Sequence, residues 1–309
     1  MARGFVPLPH PAMTRLRLGL EWFLNPDHVP FLLAQDRGWF ADEGLDVELI
    51  EPEEHLDAVE AIERGDMDVA VTEPLHLVED RAAGRPCVGF ARFLHTNGGV
   101  MAKAEIERPR DMAGRRIQYP GAPGPGGPAI VATMVEADGG PAGTEDGYER
   151  VNTSFYHTDA LAEDKADVAT LVFHNFEIVE AGHRGLDVRL FALKDWGVPD
   201  FCQLVLITHP DKLEAQRASF EALVRVLRRG VDAVKQEPDA ARAVYVARTE
   251  TDPGDALTRA IYDATVPCFT HDFSMSADYY RALEAWMHDR CLIEATPGAD
   301  AYWTNGLAL

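Results

Sequence analysis

Residues 15–52 read RLRLGLEWFLNPDHVPFLLAQDRGWFADEGLDVELIEP, and this stretch decides the fold. Arg15 to Glu21 alternates polar and apolar side chains, the period of a half-buried strand. Trp22 to Pro30 carries two prolines and an Asn-Pro pair, so it reads as a loop. Phe31 to Phe40 reads as a helix, and GLDVELIEP returns to a strand. Asp57 to Arg64 adds a short amphipathic helix, and GDMDVAVTEP another strand. Strands alternating with helices imply parallel pairing with helices on the faces.

A second unit of the same kind starts near residue 100. AGRRIQYPG is a strand ending in the loop GAPGPGGPA; a helix over about 129–137 and the strand YERVNTSFYH follow. DALAEDKADVATLVFHNF then repeats the logic of the first unit, and DKADVATLV is similar in pattern to GDMDVAV. After the strand CQLVLITH, apolar residues at i, i+3 and i+4 predict helices over about 211–235, 237–248, 253–264 and 276–290. The expected organisation is α/β and two-lobed: residues 14–98 plus 203–309 in one lobe, 99–202 in the other, with crossovers near Gly98 and Gln203.

The 309 residues carry 51 acidic against 29 basic side chains, a formal charge of −22, which excludes nucleic-acid backbone or an anionic membrane as the main partner. The apolar runs fall short of the roughly 18 residues of a membrane span, so no membrane insertion is expected. The four cysteines, Cys87, Cys202, Cys268 and Cys291, show no CxxC spacing and read as reduced, mostly buried thiols. Met1 to Trp22 has no apolar core ahead of a small-residue cleavage site, so the chain as sequenced reads as cytoplasmic. Removal of a leader would make it periplasmic or extracellular, and Met13 offers an alternative start.

In open α/β sheets, ligands bind beyond the carboxyl ends of strands. That rule selects Trp22–His28, Thr72–His76, Tyr119–Gly127, Phe173–Asn175 and Pro199–Cys202. Trp22 supplies a face on which a planar ring stacks. Asn25 and His28 supply short polar groups from the same loop, with Asp27 ranked behind them. Thr72 is a candidate N-cap of the next helix, and Glu73 and His76 follow it. Tyr119 and Gly121 open the glycine-proline loop; its backbone N–H groups suit an anion, although Pro123, Pro125 and Pro128 remove donors. His174, Asn175 and Phe201 complete the candidates. The histidines lack HxxxH or HxH spacing, so no metal is expected.

The run through Gly38-Trp39-Phe40-Ala41-Asp42-Glu43-Gly44-Leu45-Asp46-Val47, with the Trp–Asn–His-type loop before it, resembles the thiamine-pyrimidine family. That family comprises the pyrimidine-precursor-binding proteins of ABC transporters and the yeast-type hydroxymethylpyrimidine phosphate synthase. The resemblance is clear over residues 15–100 and weaker over 100–210. It implies the periplasmic-binding-protein type 2 fold, with two lobes closing on a heteroaromatic ligand, and an ABC transporter permease as a partner if the protein is exported. For the synthase branch it implies pyridoxal phosphate and iron, and a histidine at His76 that is catalytic and consumed. The lysine that branch uses for a Schiff base stands here as Thr72, which has no amine. Its cysteine-rich run corresponds to Val198–Cys202, with Cys202 remaining. The expectation is therefore a non-catalytic pyrimidine-binding protein without cofactor, and the alternative a cytoplasmic synthase-like enzyme.

Overall fold

A computed structural model describes residues 13–52 and 57–307; the reading of the N-terminal segment before Met13 lies outside them. Among the described residues, ten strands form two five-stranded sheets. They are β1 (Thr14–Gly19), β2 (Leu45–Ile50), β3 (Val69–Thr72), β4 (Val88–His95) and β5 (Gly98–Lys103). β6 (Arg116–Gln118), β7 (Glu149–Val151), β8 (Val168–Phe173), β9 (Val188–Ala192) and β10 (Gln203–Thr208) follow. The first sheet has the order β2-β1-β3-β10-β4 and the second β7-β6-β8-β5-β9.

The alternation of Thr14–Gly19 puts Leu16 and Leu18 in the core, and β1 pairs in parallel with both β2 and β3. β6 likewise pairs in parallel with β7 and β8. The sheets are nevertheless mixed, not parallel throughout: β10 runs antiparallel between β3 and β4, and β5 antiparallel between β8 and β9. The antiparallel strands follow from chain routing, since each enters its sheet directly after the chain crosses from the other. The chain passes out of the first sheet at Thr96–Asn97 and returns to it at Cys202–Gln203. The two passages touch, with Thr96 N–H donating to the Cys202 carbonyl at 3.0 Å. A Cβ on Gly98 would lie 1.8 Å from Cys202 Sγ, so only glycine permits this approach.

The helix read over 31–40 is two, Val29–Asp36 and Trp39–Asp42, because Gly38 adopts φ +70° between them. The helix expected at 129–137 already starts at Gly126, since the first turn needs no N–H from Pro128. The strand read in YERVNTSFYH contracts to β7, and β4, β5 and β9 escaped the sequence reading. The last helix, Ala277–Asp289, packs against the helix Pro74–Ala82 of the first sheet. It also reaches the second sheet's layer: Trp286 Nε1 donates to Thr133 Oγ1 at 3.1 Å, and Arg290 pairs with Glu136 at 2.5 Å and Glu145 at 3.0 Å.

Candidate functional site

A cavity of about 530 Å³ lies between the two sheets, at the carboxyl ends of β1, β3, β6 and β8. From the first lobe Glu21, Trp22, Asp27, Thr72, Glu73 and His76 line it. From the second come Tyr119, the glycine-proline loop, Phe155, His157, Phe173 and Glu177.

Trp22 joins the lobes. Its ring centroid lies 4.4 Å from Phe23 on its own side, and 4.8 Å from Phe176 and 5.7 Å from Phe155 on the other. Its indole Nε1 is buried without a hydrogen-bond partner.

The loop after β1 inverts the ranking read from sequence, for it is Asp27 that faces the cavity. Asn25 and His28 are fully buried behind the wall and shape the loop. Asn25 Oδ1 caps the short turn by accepting from Asp27 N–H at 2.8 Å, and its amide donates to the Phe23 carbonyl. His28 Nδ1 accepts the Asn25 N–H at 3.2 Å, which assigns the ring proton to Nε2, 3.1 Å from both Glu21 oxygens. The histidine thus positions Glu21. Asn175, also behind the wall, reaches across from the second lobe: its amide donates to Asp27 Oδ1 at 3.0 Å and to Thr265 Oγ1 at 2.9 Å. Burial, aided by the Glu21 charge, pushes the Asp27 carboxyl up to about 7.

At the end of β3, Thr72 lines the cavity but does not cap the next helix, because Pro74 starts that helix one residue later and Glu73 takes the cap position. Glu73 Oε2 is buried with no hydrogen-bond partner, and burial pushes this carboxyl up to about 7. His76 Nδ1 lies 2.9 Å from Glu79 Oε2. Burial opposes its protonation, but Glu79 at this distance, with Glu73 and Asp80 beyond, outweighs that and raises its pKa to about 9. His76 is therefore a cation at neutral pH.

In the second lobe, Gly121 takes φ +81° and the Tyr119 hydroxyl donates to the Gly124 carbonyl, folding the loop onto the ring. A Cβ on Gly127 would come within 2.4 Å of that ring. Gln118 donates its amide to the Ser154 carbonyl at 2.8 Å, which turns Oε1 toward His157 Nδ1 at 2.6 Å. The His157 proton therefore sits on Nδ1, leaving the Nε2 lone pair facing Glu177 Oε1 at 3.7 Å. Burial drives His157 down to about 4 and Glu177 up to about 8, so both are neutral. Glu177 Oε2 accepts the Phe173 N–H at 2.8 Å.

Two candidates stand clear of the wall. His174 is exposed, held only through its backbone N–H to Asn97, because β8 turns at Phe173 and directs it outward. Phe201 is fully buried, its ring 6.3 Å from Trp286, so it is core under the returning crossover. Glu21, Phe155, His157 and Glu177 were missed by sequence reasoning. Glu21 ends the β1 alternation and was within reach of the strand-end rule; Phe155 and His157 lay inside a segment read as strand.

The model of the family described as NMT1/THI5 like matches residues 25–241. The chain belongs to the NMT1/THI5-like family. This NMT1/THI5-like chain is 27% identical over 245 residues to the formylaminopyrimidine-binding protein of Halalkalibacterium halodurans, covering 77% of this chain and 72% of the relative. It is 26% identical over 263 residues to the 4-amino-5-hydroxymethyl-2-methylpyrimidine phosphate synthase of Legionella pneumophila, covering 83% and 80%. The alkanesulfonate-binding protein SsuA of Xanthomonas axonopodis pv. citri, solved bound to MOPS, superposes with a TM-score of 0.71 at 13% identity, over 96% of this chain and 99% of that one. The fold is that of periplasmic binding proteins. The resemblance to the synthase branch implies pyridoxal phosphate, a group to test against these residues. Among the described residues that line the cavity there is no lysine, and the threonine hydroxyl at Thr72 forms no imine. The residues present do not fit a cofactor held as a Schiff base. Nor do the described residues bring together three side chains able to hold a metal ion.

Proposed function

We propose that this protein binds a pyrimidine precursor between its lobes without transforming it, and, in an exported setting, hands it to an ABC transporter permease. The observation that carries this reading is the composition of the cavity wall: an aromatic cluster built on Trp22, flanked by buried carboxyls, of which Glu73 has an oxygen without a hydrogen-bond partner. A planar aminopyrimidine offers a face to the rings and N–H donors to the carboxyls. The pyrimidine-binding relative supports the ligand class.

Native mass spectrometry of the freshly purified protein is the direct test. A co-purifying aminopyrimidine, or calorimetric binding of one added back, is the expected result; a covalent pyridoxal adduct would overturn it. The second reading, a synthase, rests on His76 in the wall and on the synthases among the relatives. It requires a loss of mass at His76 after aerobic incubation with iron and pyridoxal phosphate. Borohydride trapping in the cavity is expected to give no adduct.

A further inference from the structure

We infer that the heterocycle carries a positive charge: the ligand is an aminopyrimidine with a protonated primary amine on a ring substituent, received by Glu73 and Asp27, and not a phosphate ester. This inference rests on the pyrimidine-binding reading and specifies its substrate class.

The cavity faces more carboxyls than its own cations can serve. Arg85 is committed to Asp80 at 2.8 Å and to Asp57 at 2.6 Å. His76 is committed to Glu79. Glu73 has a buried oxygen with no hydrogen-bond partner at all. Asp27 is 2% exposed and takes its side-chain hydrogen bond from a neutral amide, that of Asn175. Glu177, 3% exposed, accepts from a backbone N–H.

These carboxyls also act on one another. Burial raises Glu73 and Asp27 most, His76 and His28 pull them back in part, and Glu21 raises both again; Asp27 in turn raises Glu177, so the group runs across the cavity from one lobe to the other. Without a ligand, such a row keeps protons that free carboxylic acids would have shed. A bound ammonium supplies the missing counter-charge and three donors, which satisfies the orphaned Glu73 oxygen and lets its neighbours ionise. A phosphate dianion at the same place offers none of these donors and would meet like charge wherever a carboxyl is ionised. Pro123, Pro125 and Pro128 also withhold backbone donors from the loop that would otherwise cradle it.

The test is calorimetry at neutral pH with three probes: an aminopyrimidine bearing an aminomethyl arm, the same ring with a hydroxymethyl arm, and its phosphate ester. The aminomethyl compound is expected to bind at least about tenfold more tightly than the alcohol, and the ester to show no binding. Glu73→Gln is expected to bring the ratio of the first two toward one, a quantity insensitive to a uniform loss of affinity. Equal or tighter binding of the alcohol, or preferred binding of the ester, overturns the charge assignment and leaves the pyrimidine reading standing. Failure of all three to bind overturns the pyrimidine reading itself.

Discussion

The two lobes are one structural unit built twice, and they differ where the ligand would sit. Strand for strand, β2-β1-β3 matches β7-β6-β8, and each sheet takes its antiparallel crossover strand beside the third member. The match extends to side chains at the far ends of the strands. In the first lobe Arg17 holds Asp68 through its backbone N–H at 2.8 Å and its guanidinium at 3.0 Å, with Lys212 at 2.6 Å. In the second, Arg116 holds Asp167 through its backbone N–H at 3.2 Å and its guanidinium at 2.6 Å, with Lys103 at 3.3 Å. At the carboxyl ends this likeness stops. β3 leads into Glu73 and a protonated His76, while the second lobe offers the neutral pair His157 and Glu177. The same scaffold thus presents a charged wall and an uncharged one. The difference comes from the partners: Glu79 stands against His76, whereas His157 is buried against an amide.

The largest expected effect tests the likeness. Asp68→Asn and Asp167→Asn should each lower unfolding stability by about 1.5–3 kcal/mol, the range for hydrogen bonds to charged groups. Both carboxylates are held at about 2 by hydrogen bonds from arginine and lysine, which outweigh the opposing effect of burial. Their stabilisation is present above the unfolded pKa near 4 and is lost as pH falls toward 2. Denaturant melts of the two variants would break the comparison if one cost nothing.

Next in size is Trp22→Ala. It removes the ring that spans the lobes and should weaken binding of a planar ligand at least about tenfold, since aromatic pairs contribute roughly 0.5–1.5 kcal/mol beyond area burial. Unchanged affinity by calorimetry would confine Trp22 to lobe packing.

The charged wall is then sharpened by pH. Asp27, Glu73, Glu177 and His76 all keep protons in the folded state above their ordinary values. Between about pH 6.5 and 8.5 the native state therefore binds more protons than the unfolded one, and stability falls as pH rises. A fall of at least about 1 kcal/mol is expected for the ligand-free protein, one pKa unit being worth roughly 1.4 kcal/mol. Thermal melts that rise across that window would contradict the assigned protonation.

The smallest effect is His76→Gln, which keeps a donor but not the charge. Under the binding reading it should cost about 0.5–1.5 kcal/mol of ligand affinity, one hydrogen bond's worth.

Much of this was legible in the chain. The alternation of Thr14–Gly19, the glycine joint at Gly38 and Gly44, and the similarity of GDMDVAV to DKADVATLV carried the repeated unit. The strand-end rule found Trp22, Thr72, Glu73, His76, Tyr119 and Gly121. What it does not supply is the direction of a side chain within a loop. Asn25, Asp27 and His28 are chemically similar candidates, and only the cap that Asn25 makes decides that Asp27 turns inward. Glu177 escaped because it lies beyond the strand end, on a helix whose approach to the cavity depends on the tertiary fold. β10 was read as the strand CQLVLITH but not as an antiparallel one, since direction depends on the crossover, and β5 escaped because it is buried too thoroughly to show a period.

The helix Ala277–Asp289 braces the two lobes. It packs on the helix Pro74–Ala82 and reaches the other lobe through Trp286, whose ring lies beside Phe201 of the returning crossover, and through Arg290 just past its end. The two crossovers, touching where Thr96 N–H donates to the Cys202 carbonyl, join the lobes along one line. The lobes are thus braced by a helix as well as by their crossovers, and across that braced gap Trp22 meets Phe155 and Phe176.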